Sequence, residues 1–157
     1  MSAAHWHLVL VHIPVLFVPF ALLLLIFSLW RRQPILQQLA ASLFVASALV
    51  AVPAFLTGEP AEEQVEELPH VSNAAIEEHE ASAEWAFYLT LSAGVFGLGW
   101  LLSSRRERLR NGLQAGLLVT GLTSSLALLR TANLGGKVSH PELRSENSLS
   151  EAKVPSQ

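Results

Sequence analysis

Four long blocks without formal charge constrain this chain most: residues 8–30, 35–57, 85–102 and 112–129 contain no Asp, Glu, Lys or Arg. Each approaches or exceeds the ~20 residues that a helix needs to cross a ~30 Å hydrocarbon layer. Lipid offers no partner to backbone amides and carbonyls, so each block must satisfy its own hydrogen bonds as a helix. A soluble domain of this length would distribute its apolar residues, here 51% of the chain, over amphipathic elements instead. The expected fold is all-α, an integral membrane four-helix bundle. Its spans fall at about 8–30, 35–57, 82–102 and 111–130 within a domain of residues 1–142. Residues 143–157 are polar and Ser-rich, which predicts a disordered tail.

The charges between the blocks set the expected orientation. Arg31 and Arg32 follow the first block, and Arg105, Arg106, Arg108 and Arg110 lie between the third and fourth. The stretch 58–84 holds nine glutamates and no Lys or Arg. By the positive-inside rule the two short basic loops are cytoplasmic. Both termini and the acidic loop then face outward from a bacterial inner membrane. The first span lacks a basic leader, is long, and is followed by Arg31-Arg32 and not by a small-residue cleavage site, so it reads as a retained helix and not a signal peptide.

Local signals fill in the connections. Pro14 and Pro19 predict a bend in the first helix. Gln33-Pro34 marks a tight turn, and Glu59-Pro60 opens a short acidic helix over 61–68, which Pro69 ends. Ser72 or Asn73 is the expected N-cap of a helix that runs unbroken into the third span. Gly112 and Gly116 fit the small-xxx-small pattern of close helix packing. Gly135-Gly136 reads as a turn after the fourth span, able to fold His140 back over the bundle mouth.

All six histidines, His5, His7, His12, His70, His79 and His140, fall on the expected outer side. Imidazole is the commonest neutral ligand for transition metals and haem iron. The absence of cysteine excludes disulfides, thiolate ligands and covalent haem attachment. His12 lies inside the apolar run, ~6 Å below Leu8, where an ionisable group is a functional-site hypothesis by default. His5 and His12 are seven apart and share a helix face, whereas His7 is rotated by ~200° from His5. His79 stands among Glu77, Glu78 and Glu80.

Two chemistries compete. In one, His12 and His79 on facing helices ligate haem b, with Arg130 and Lys137 neutralising its propionates. In the other, His5, His7, His12, His79 and His140, with Glu59 or Glu62, supply the ligands for a single zinc, copper or iron ion near the surface. Depth favours the second, because His79 stands ~9 Å above its apolar run while His12 sits within its own. The apolar bundle favours the first. A third reading is a structural subunit whose histidines only hydrogen-bond.

Several segments carry a resemblance: His7-x-x-x-x-His12-x-Pro14, the lone His79 before the third span, the segments 56–63 and 131–136, and His140 after Gly135-Gly136. Over roughly residues 5–142 the chain resembles a family of small bacterial four-helix membrane proteins of uncharacterised function, proposed to bind haem. Leu8 departs from it, standing where proline is expected after the first histidine. The resemblance implies His7, His12, His79 and His140 as cofactor ligands. Electron transfer to a membrane or periplasmic redox partner is the expected role, as a single chain or with a site built between two copies. No nucleophile–base arrangement or phosphate loop suggests an enzyme. The short basic flanks form no face for nucleic acid.

Overall fold

The computed structural model describes residues 2–66, 71–103 and 107–140. Among them the chain forms five helices and no strand: α1 (Ala3–Trp30), α2 (Pro34–Leu56), α3 (Gly58–Val65), α4 (Asn73–Leu102) and α5 (Glu107–Ser139). Four of these, α1, α2, α4 and α5, are long and apolar enough to cross a membrane. The expected tail and His70 lie outside the described residues.

Helix starts and stops follow local chemistry. Ser2 caps α1, its hydroxyl accepting from the amide of His5 at 3.3 Å. Pro14 and Pro19 both lie inside α1 without ending it. At its other end Gln33 N–H donates to Ser28 O at 2.9 Å and Arg32 N–H to Leu29 O at 3.2 Å. That 6→1 and 5→2 pair is a Schellman closure, and it places Arg32 at φ 52°. Pro34 then opens α2, where its missing N–H costs nothing. The short acidic helix starts three residues earlier than expected, because Thr57 ends α2 and α3 follows at once.

One sequence expectation is corrected. Gly135 and Gly136 do not turn; they lie inside α5, and His140 N–H donates to Gly136 O at 2.9 Å, continuing the ladder. Each glycine costs a helix ~1 kcal/mol relative to alanine. Packing of Gly135 against the ring of His79 offsets this, so tertiary contact overrides the turn signal. His140 therefore directly follows the last residue of α5.

α4 packs along α5 and α2, and α1 packs along α2 and α5. The interior is built from small side chains around one large one. Phe44 is fully buried, and a Cβ at Gly121 would lie 2.8 Å from its ring. Ala21, Ala40, Ala41 and Ala93 are also fully buried. Large residues such as Leu16, Phe20, Leu23, Leu49, Val95 and Leu126 face outward. Helices in lipid gain nothing by hiding leucine from water, so close backbone approach and interhelical hydrogen bonds hold them together. Hydroxyl pairs join α4 to α5 at Thr90–Ser124, 2.8 Å and fully buried, and at Ser82–Thr131, 2.8 Å.

Candidate functional site

The start of α1, the end of α2, all of α3, the start of α4 and the end of α5 meet at one end of the bundle. Ala4 N–H donates to Gln64 Oε1 at 3.4 Å, tying α1 to α3. The two histidines that reach into this mouth are His7 and His79, both half-buried.

Each is fixed by a backbone carbonyl from another helix. His7 Nδ1 lies 3.0 Å from Ala54 O of α2 and 3.3 Å from Thr57 Oγ1. His79 Nδ1 lies 3.1 Å from Thr131 O of α5. A carbonyl oxygen only accepts, so in both rings Nδ1 carries the hydrogen and Nε2 carries the lone pair. This is the arrangement that orients a metal-ligating imidazole and sets its tautomer. The anchors are themselves held. The Thr57 hydroxyl donates to Pro53 O and Ala54 O, each at 2.9 Å. The Thr131 hydroxyl donates to Ala127 O at 2.9 Å and pairs with Ser82. A glycine gives the His79 ring room: a Cβ at Gly135 would lie 3.1 Å from His79 Cε1, whereas one at Gly58 would make an ordinary contact with His7 Cε1 at 3.7 Å. His7 is close enough to His79 to act on it electrostatically.

Beside this pair, the carboxyls of Glu62 on α3 and Glu80 on α4 share a hydrogen bond. That bond, with burial and the negative charges of Glu80, Glu66 and Glu59, pushes Glu62 up to about 7 from an ordinary 4.5. A raised carboxyl binds its proton more tightly in the folded protein. The stabilisation is complete below pH 4.5 and is lost as pH rises through about 7. Backbone hydrogen exchange in α3 is therefore expected to speed up between pH 5 and 8 beyond its intrinsic pH dependence. Glu62→Gln, which keeps a hydrogen-bond donor at every pH, should flatten that excess. An excess that persists in the variant would place its cause elsewhere.

The remaining candidates are dispersed. His12 is exposed on the bundle surface, and its Nδ1 bonds Leu8 O one turn back along α1. No described contact joins it to His79; the α1 histidine that interacts with His79 is His7. His5 is exposed at the start of α1, and Glu59 in the first turn of α3. Arg130 lies 3.9 Å from Glu78, with both side chains mostly exposed. Such a pair contributes ~0–1 kcal/mol. Lys137 is half-buried in the last turn of α5, seven residues beyond Arg130 and so on the same face. Among the described residues no group of three or more His, Asp or Glu side chains is placed to hold a metal ion. The set His5, His7, His12, His79, His140, Glu59 and Glu62 is thus not gathered into one ion site.

Sequence reasoning missed Ala54, Thr57, Thr131 and Glu80. Two of these act through backbone oxygens, which every residue carries and no composition signals.

No curated protein and no solved structure matches this chain. The model of a family described as predicted membrane protein (DUF2231) matches residues 5–141, so with four helices long enough to span a bilayer the chain belongs to that membrane protein family.

Proposed function

We propose that this chain is a haem b membrane protein that transfers electrons, with His7 and His79 as axial ligands. One observation carries the reading. Two imidazoles from different helices, in electrostatic reach of each other, each have Nδ1–H held by a backbone carbonyl and Nε2 left as the basic nitrogen. Haem brings four nitrogen ligands of its own and asks the protein for two. A bare zinc, copper or iron ion asks for three or more protein ligands. Among the described residues no three His, Asp or Glu side chains are placed to hold one ion, the nearby Glu62 and Glu80 carboxyls being paired with each other, and a pair of oriented histidines suits the former.

The chain's own residues divide the work. Ala54 O and Thr131 O orient the rings and raise the basicity of Nε2. Gly135 leaves space beside the His79 ring. Arg130 and Lys137, one face of α5, supply cations suited to propionates. Haem held there would supply reversible one-electron transfer to a membrane or periplasmic partner. Arg31, Arg32, Arg108 and Arg110 lie at the opposite end of the helices, which supports a cytoplasmic position for that end and an outer-face position for the histidines.

The test is the absorption spectrum of the protein purified in mild detergent after haem supplementation. A Soret band that shifts on dithionite reduction, with sharp α and β bands, is the expected result. A colourless protein would overturn the reading, and elemental analysis would then separate a metal protein from a cofactor-free subunit.

A further inference from the structure

At the opposite end of the bundle, Trp100, Ser103 and Arg110 carry hydrogen-bond donors that find no partner among the described residues. Trp100, in the last turn of α4, is 3% exposed, and its Nε1–H has no hydrogen-bond partner among the described residues. Ser103, the C-cap residue of α4, stands three positions on; its backbone N–H donates to Trp100 O at 3.2 Å, and its buried hydroxyl also has no partner among the described residues. Arg110, near the start of α5, lays its guanidinium over the indole face, with Cζ 4.2 Å from the ring centroid. That stacking uses the guanidinium's charge and leaves its N–H groups for other partners. Among the described residues no carboxylate lies within ion-pair distance of Arg110.

Buried polar groups in native proteins are nearly always satisfied, so unpaired donors in one place ask for an explanation. Indole and guanidinium can only donate, and a serine hydroxyl can donate as well as accept. The complementary ligand is an anion with several acceptor oxygens. Trp100 and Arg110 also stand at the end of the span, where headgroups lie and where aromatic and basic residues are enriched. Arg31 and Arg32 add positive charge at the same end of the helices.

We propose that Trp100, Ser103 and Arg110 form a site for the phosphate group of an anionic lipid. Arg110, partly exposed on a flexible stem, is the movable part: it covers the indole in the free protein and clamps the phosphate when bound. The indole N–H and the Ser103 hydroxyl then take the remaining oxygens. This site is separate from the histidine mouth and does not depend on the haem reading.

Native mass spectrometry of the full chain in detergent, with phosphatidylglycerol or phosphatidylcholine added, tests it. Phosphatidylglycerol is expected to be retained over phosphatidylcholine, whose choline cation already neutralises its phosphate. Trp100→Phe keeps the aromatic face under Arg110 and removes only the N–H. It and Arg110→Gln should each weaken retention about tenfold, the loss of one charge-assisted hydrogen bond. Ser103→Ala, which disturbs packing least, should act in the same direction. Competition by millimolar inorganic phosphate or glycerol phosphate would identify a free phosphate as an equal occupant, and its failure would assign the site to lipid. Equal retention of both lipids, or unchanged retention in Trp100→Phe and Arg110→Gln, would overturn the proposal.

Discussion

Alanine at His7 or at His79 is expected to abolish the low-spin haem spectrum, whereas alanine at His12 should leave it intact. His7 and His79 each have one ring nitrogen committed to a carbonyl of a neighbouring helix. The other ring nitrogen is the one left to ligate the proposed haem. In the proposed haem site, loss of either would remove one of the two protein ligands and so change the spin state of the iron or prevent haem from being held. His12 instead bonds a carbonyl of its own helix and faces away from the bundle interior. The measurement is haem per folded chain, together with the reduced α band, for the three variants purified side by side. Elution as monodisperse protein separates lost ligation from lost folding. Colour retained in His7→Ala and lost in His12→Ala would move the axial ligand on α1 one and a half turns deeper. Gly135→Val offers an independent check. A Cβ there already meets the His79 ring at 3.1 Å, so a branched side chain should displace the imidazole and reproduce the His79→Ala spectrum without touching the histidine.

The four spans were legible because the bilayer imposes a one-dimensional rule. A run of uncharged residues must be helical, and its length alone says whether it crosses. The site was only partly legible because it depends on rotation and depth. Placing His79 in the mouth needed only its position near the start of the third span. Choosing its partner needed the phase of α1, and His12, singled out for its depth, is rotated outward while His7 is turned inward. The anchoring groups, Ala54 O and Thr131 O, have no sequence signature. The Glu62–Glu80 pair joins residues from two helices whose docking no local pattern encodes. Glycine was ambiguous in the same way. Gly135-Gly136 carries the composition of a turn, yet both lie in a helix, Gly135 against the His79 ring and Gly136 with open space around it.

Replacing Gly94 with leucine should prevent α2 and α4 from docking and destabilise the bundle more than any other single small-to-large change. A Cβ built at Gly94 would lie 2.3 Å from the Ala48 Cβ, with Phe44 O at 3.5 Å. Neither neighbour is the free end of a flexible chain, so the helices themselves must separate. Even Gly94→Ala is therefore expected to cost ~1–3 kcal/mol, the usual range for overpacking, despite alanine's better helix propensity. Leucine adds three carbons to the same clash. The small-xxx-small spacing of Gly112 and Gly116 points elsewhere on the sequence, but only Gly116 is packed, its Cβ position 2.4 Å from Phe96; Gly112 has open space around it. Gly112→Ala should accordingly stabilise by ~0.4–1 kcal/mol, as an unstrained glycine replacement in a helix does. Thermal unfolding in detergent, followed by circular dichroism, reads both signs. The decisive variant is Ala48→Gly combined with Gly94→Ala, which moves one methyl group from α2 to α4 across the same contact. If the two helices touch there, the double variant should recover most of the stability lost in Gly94→Ala, a coupling of ~0.5–3 kcal/mol. Additive losses would mean that α2 and α4 do not meet at this point.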